Sequence, residues 1–185
     1  MLQTQIEAVI FDVVGTLLPC DTQTTAPPML AQAAPVLKML TLAQQDVGLF
    51  SQTPLKLPSE LTEYAYRHAN DTQRATPDPD LPTLVALAMQ SHRLNQCILI
   101  SGNSAGIEAG LRAGMWTVGT ALSGSLNKNV LAQWPQLPST EQDHLRMQAT
   151  MALLNAGAHY VIDAVDELLP CLTDINQRLK KGERA

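Results

Sequence analysis

Residues 7–17 read EAVIFDVVGTL. Ala8 to Phe11 are apolar without alternation, the pattern of a short strand buried on both faces of a parallel sheet. The run stops at Asp12. An acid at that point sits at the carboxyl end of its strand, where open α/β sheets bind their ligands. Gly15 and Thr16 follow, and the stretch 13–28 holds Gly15, Pro19, Pro27 and Pro28 among Thr and Gln, so the strand gives way to a turn and then a loop.

Outward from this strand, the chain alternates two periodicities. DVGLFS (46–51), CILIS (97–101), the stretch 116–119 and the stretch 159–162 read as strands. Residues 34–44 place Val36, Leu37 and Leu40 on one helical face. Ser59, as an N-cap, opens a predicted helix over SELTEYAYRHA. Further helices are predicted over LPTLVALAMQSHR (81–93), from the GNSAG turn to about Ala113, over 142–155, and over 164–179 around Pro170. Strands alternating with helices imply βαβ crossovers, an α/β fold and a parallel sheet. Asp12, Ser51 and the turn at Gly102 and Asn103 then fall at strand ends on one side of the sheet.

Composition narrows the function classes. The net charge of −5 gives no electrostatic reason to hold nucleic acid or an anionic membrane. No apolar run approaches the roughly 20 residues that cross a bilayer, and the first residues carry no basic region before a long apolar stretch, so no signal peptide is read. Cys20, Cys97 and Cys171 are odd in number and far apart, which suits reduced thiols and a cytoplasmic location. One domain over residues 1–185 is expected.

Four stretches taken in order carry a resemblance: FDVVGTL (11–17), ISGNSAGIEAGLRAGMWTVG (100–119), ALSGS (121–125) and AGAHYVIDAVDELLP (156–170). Together they resemble the haloacid dehalogenase superfamily, and its phosphonoacetaldehyde hydrolase branch in particular. The resemblance implies a three-layer Rossmann-like fold with a mostly parallel central sheet. It also implies a chemistry in which a strand-end aspartate attacks phosphorus, a magnesium ion shields the opposed negative charges, and a hydroxyl and a Lys hold the phosphoryl oxygens. In that branch a Lys of the cap domain also forms a Schiff base with the aldehyde.

Carried over residue by residue, the resemblance makes Asp12 the nucleophile and, with the Val14 carbonyl and Asn103, the magnesium ligand set. Val13, Val14, Ser51, Gln52 and Gly102 become the phosphate contacts, with Thr53 as an alternative to Ser51. Several positions depart from the pattern. Asn103 stands where the family has an acid, the segment Gly102 to Ala113 is one residue short, and Glu108 is the nearest later carboxylate. Thr76 takes the place of the phosphate-holding Lys or Arg, with Arg74 two residues earlier. The interval from Thr16 to Ser51 leaves no room for the family's helical cap, so residues 13–34 are read as a shortened cap or linker, and Lys38 there reads as a solvated helix residue. His159 reads as structural.

Three readings follow. The first is a phosphonatase-like protein, catalytically impaired, that binds a small phosphorylated or anionic ligand or a protein partner, with magnesium binding weak or lost. The second is an active capless phosphohydrolase with Asp12 as nucleophile and a weak magnesium site. The third is a purely structural or interaction protein, for instance a homodimer.

Overall fold

The computed structural model describes residues 5–20 and 27–185. Six strands form one sheet, β1 (Ala8–Asp12), β2 (Asp46–Ser51), β3 (Ala65–His68), β4 (Cys97–Ser101), β5 (Trp116–Thr120) and β6 (Tyr160–Ile162). Their order is β3-β2-β1-β4-β5-β6, and every neighbouring pair is parallel. β1 lies inside the sheet and all five of its residues are buried, which is why its sequence shows no alternation.

Five helices cover the two faces: α1 (Ala33–Leu42), α2 (Asp80–Ala88), α3 (Ser104–Arg112), α4 (Ser139–Asn155) and α5 (Leu168–Lys180). Val9 and Phe11 of β1 join a core with Leu37 and Leu40 of α1 and with Leu168, Leu172 and Ile175 of α5. Ala8 and Ile10 point the other way, into a core with Leu81 and Val85 of α2. A third cluster seats α3 and α4 through Ile107, Ala149 and Leu153. Helix, sheet and helix thus form three layers, the α/β Rossmann-like arrangement expected, and alternate residues of β1 reach both outer ones.

One element differs from the sequence reading. The helix expected from Ser59 is a 3-10 turn at Ser59–Leu61 followed by β3. Tyr64, Tyr66 and His68 alternate with Ala65 and Arg67, a period of two that favours a strand once tertiary packing offers a free edge of β2. Ser59 caps no α-helix; its hydroxyl bonds to Glu60. The helix expected to reach Arg93 ends at Ala88, and Gln90 just beyond takes a left-handed φ of 59°. The last helix starts only at Leu168, which puts Pro170 in its first turn, where an N–H has no intrahelical partner to lose.

Between β1 and α1 the described residues form turns with neither helix nor strand. The shortened segment expected at 13–34 falls partly on 21–26, which lie outside the described residues. No described helix is long and apolar enough to cross a membrane.

Candidate active site

The parallel register brings three strand ends together. Asp12 closes β1, Ser51 closes β2 and Ser101 closes β4. The chain leaves β1 through a tight turn. Leu17 and Leu18 donate their N–H groups to the Val13 carbonyl at 3.0 and 2.9 Å, and Thr16 Oγ1 donates to the Asp12 carbonyl. Gly15 sits in this turn with φ of +86°, a conformation that needs a residue without Cβ. Its carbonyl accepts Thr120 Oγ1 at 2.9 Å and Ser123 Oγ at 2.6 Å, so the loop after β5 is tied to the turn after β1.

The Asp12 side chain is fully buried. Its Oδ2 accepts two hydrogen bonds, from Ser101 Oγ at 2.9 Å and from Asn103 Nδ2 at 2.7 Å. Its Oδ1 is buried with no partner. Burial pushes the Asp12 carboxyl up to about 7, against the hydrogen bonds of Ser101 and Asn103 and the nearby Gln52 amide, which favour the charged form. Burial thus works against the charged form of this acid.

Asn103 is the N-cap of α3, and its Oδ1 accepts the Gly106 N–H at 2.8 Å. That bond fixes which end of the carboxamide is oxygen and turns the nitrogen toward Asp12. Gly106 lets the helix press this close: a Cβ there would lie 2.2 Å from Ser101 Oγ and 3.1 Å from Asp12 Oδ2.

The residues expected to hold phosphate do not all face one space. The Val13 N–H donates to the Phe50 carbonyl at 2.8 Å, so that donor is spent on the sheet. Ser51 Oγ donates to the Thr53 carbonyl and meets Tyr66 Oη at 2.5 Å, while Tyr66 Oη accepts the Leu55 N–H at 3.2 Å. With its proton on Thr53, Ser51 takes the tyrosine's proton, and the chain Leu55–Tyr66–Ser51–Thr53 closes on itself. The Ser51 hydroxyl therefore holds the loop rather than offering a proton to a ligand. Gln52 differs: Thr76 Oγ1 donates to its Oε1, and its Nε2 is buried and unpartnered. Gly102 is buried and its carbonyl accepts the Ser125 N–H at 2.9 Å. Val14 remains in the turn, half-buried, in an isolated bridge with Leu18.

The remaining candidates lie elsewhere. Arg74 is mostly exposed and ion-paired with Asp80, its Nε at 3.0 Å. Glu108 pairs with Arg112 at 3.2 Å on the outer face of α3. Lys38 is exposed on α1. His159 Nδ1 accepts the Thr117 N–H at 3.1 Å and its ring packs on Trp116 at 4.9 Å; burial and then Arg178 hold its pKa below the usual value. It is a neutral packing residue between β5 and β6.

Sequence reading missed Ser101 and Tyr66. Ser101 is legible in hindsight as the one polar residue closing an apolar strand. Tyr66 carries no local signal, because its partner lies on another strand. Burial pushes the half-buried Cys20 thiol up to about 11, with the Asp12 charge adding to the rise.

Magnesium keeps several waters and is held by one or two carboxylates, with uncharged carbonyls and a ligand's phosphate oxygens filling the set. The described residues offer Asp12 as the one carboxylate here, Asn103 presents a nitrogen, and no cluster of three His, Cys, Asp or Glu side chains able to hold a metal exists among them. The donor set does not fit magnesium.

No protein-family model matches the chain. Among curated proteins, the phosphonoacetaldehyde hydrolase of Aeromonas hydrophila is 32% identical over 160 residues, covering 81% of this chain and 57% of that enzyme. The Bordetella pertussis phosphonoacetaldehyde hydrolase is 34% identical over 116 residues, 63% of this chain and 42% of that enzyme. The chain thus spans about half the length of the curated relatives it matches. Among solved structures, a phosphonoacetaldehyde hydrolase-like protein from Oleispira antarctica is 35% identical with a TM-score of 0.77, over 85% of this chain and 60% of that one. A further solved chain, 30% identical with a TM-score of 0.87, is matched over 100% of its length and 97% of this one. A haloacid-dehalogenase-family hydrolase from Deinococcus radiodurans, solved with phosphate and sodium, shares the fold at 17% identity and a TM-score of 0.62, over 94% of this chain and 97% of that one.

Proposed function

From a chain that has the haloacid dehalogenase fold and resembles phosphonoacetaldehyde hydrolases, we infer a phosphonatase-like protein that binds a small phosphorylated or otherwise anionic ligand at the Asp12 strand end and no longer hydrolyses it. The observation that carries this reading is the pair of orphaned polar atoms, Asp12 Oδ1 and Gln52 Nε2. Each costs free energy while unpaired, of the order of 1–3 kcal/mol. A protonated oxyanion satisfies both, accepting from the glutamine and donating to the carboxylate. When Asp12 itself holds the proton, both groups donate to the ligand.

The loss of turnover follows from the same atoms. A nucleophile must be ionised, and burial works against that at Asp12. The phosphate-holding cation is replaced by Thr76, whose hydroxyl is committed to Gln52. Magnesium binding is weak or lost by the donor accounting above. We place the protein in the cytoplasm, where its free thiols stay reduced.

The test is calorimetric titration of the full chain with inorganic phosphate, comparing wild type with Gln52→Leu. Saturable binding that weakens about tenfold in the variant, the worth of one hydrogen bond to a charged group, is the expected result. Absence of binding in wild type overturns the reading.

A further inference from the structure

The geometry points to an oxyanion site that works without a divalent cation, with the Asn103 carboxamide taking over a metal's electrostatic task. This rests on the reading of the Asp12 strand end as an anion site and deepens it by naming how the negative charge is met.

Asn103 cannot turn its oxygen inward, because that oxygen holds the Gly106 N–H at 2.8 Å as the cap of α3. Its N–H therefore points at Asp12 Oδ2 from 2.7 Å, and Ser101 Oγ points at the same oxygen from 2.9 Å. A cation approaching Oδ2 would meet the positive ends of two dipoles. A single further oxygen, Oδ1, remains open on Asp12. Magnesium is bound by near-octahedral oxygen sets and sheds its waters reluctantly, so one carboxylate oxygen is a poor lure. The two donors instead offset part of the carboxylate's charge from the side that a cation would occupy.

The same hydrogen bonds identify a reversing substitution. Aspartate is nearly isosteric with asparagine and caps helices equally well, so Asn103→Asp keeps the bond to the Gly106 N–H. Its other oxygen then replaces Nδ2 in the close contact with Asp12 Oδ2. Two carboxylate oxygens at that separation repel and create a demand for a proton or a cation. Asn103→Ser, by contrast, keeps a capping hydroxyl and adds no charge.

The experiment titrates magnesium chloride into wild type, Asn103→Asp and Asn103→Ser, with circular dichroism confirming the fold of each. Wild type and Asn103→Ser are expected to show no saturable heat up to about 10 mM, whereas Asn103→Asp gains millimolar or tighter binding. Saturable binding to wild type in that range overturns the inference whether or not the variants fold. A folded Asn103→Asp that gains nothing overturns it too, because the metal's absence would then not be Asn103's doing. Phosphate titrations of wild type in EDTA and in magnesium complete the test. Equal affinity within about twofold supports the inference, and magnesium-dependent affinity overturns it. Failure of phosphate to bind in either buffer strikes the underlying anion-site reading and leaves the magnesium titration to be judged by itself.

Discussion

At the scale of single residues, Asp12 governs how the protein answers to pH. Its folded pKa of about 7 lies above its ordinary value of 3.8. A folded carboxyl that binds its proton more tightly than the unfolded one stabilises the protein at acid pH, and that stability is lost as pH rises from about 4 through about 7. The loss amounts to something on the order of 4 kcal/mol. Asp12→Asn keeps an acceptor for Ser101 and Asn103 but has no charge to bury. Urea unfolding from pH 4 to 8 should show wild type losing stability relative to Asp12→Asn across that window, with the variant the more stable at pH 8. A pH-independent difference would refute the burial argument.

Gly106 supplies a second residue-scale prediction. Replacing a helical glycine by alanine ordinarily stabilises by up to about 1 kcal/mol, and Gly106 lies in the first turn of α3. Here the added methyl would lie 2.2 Å from Ser101 Oγ, so overpacking reverses the sign. Gly106→Ala should destabilise by about 1–3 kcal/mol in urea unfolding. A stabilised variant would show that α3 is free to move away from the site. Asp12 itself was legible in the sequence, because an acid closing a buried strand has few other reasons to be there. The direction of the Asn103 carboxamide was not legible. It is set by one backbone N–H three residues later, and the same letter would serve equally as a ligand oxygen.

At the scale of elements, the strands and helices that bury a full face were readable. β1 and β4 are apolar throughout because both faces are covered. β3 was not readable, because all four of its residues are only half-buried and three are charged or titratable. An edge strand of this kind owes its form to β2 beside it rather than to its own pattern. Its contribution to the site is the Tyr66 hydroxyl, which joins Ser51 to the Leu55 N–H. Tyr66→Phe removes that link and leaves a backbone donor unpaired, at a cost of about 1–3 kcal/mol. Amide exchange at Leu55 should quicken while exchange in β1 and β4 keeps pace only with the global change. Unaltered Leu55 exchange would mean that the loop is held by other contacts.

At the scale of the whole molecule, the fold keeps what the haloacid dehalogenase architecture needs for ligand placement. The strand ends converge, the turn after β1 is tied to the loop after β5 by Thr120 and Ser123, and α3 presses its amino end against the carboxylate. What differs is the charge economy of the site. Asn103 stands where the fourth motif has an acid and Thr76 where a cation precedes the proline; Asn103 is bonded to Asp12 and Thr76 to Gln52. Ordered motifs along the chain made the fold legible in advance. Their individual changes could not say whether another group had moved in to compensate, since compensation is a matter of proximity in space.

The central claim is that the site binds an anion and does not hydrolyse it. The measurement that tests it most directly is turnover of phosphate esters, acyl phosphates and phosphonoacetaldehyde by wild type and Asp12→Asn, each with and without magnesium. Wild type is expected to show no turnover above that of the variant in either buffer. Magnesium-dependent turnover that disappears in Asp12→Asn would contradict the claim and would establish a working hydrolase.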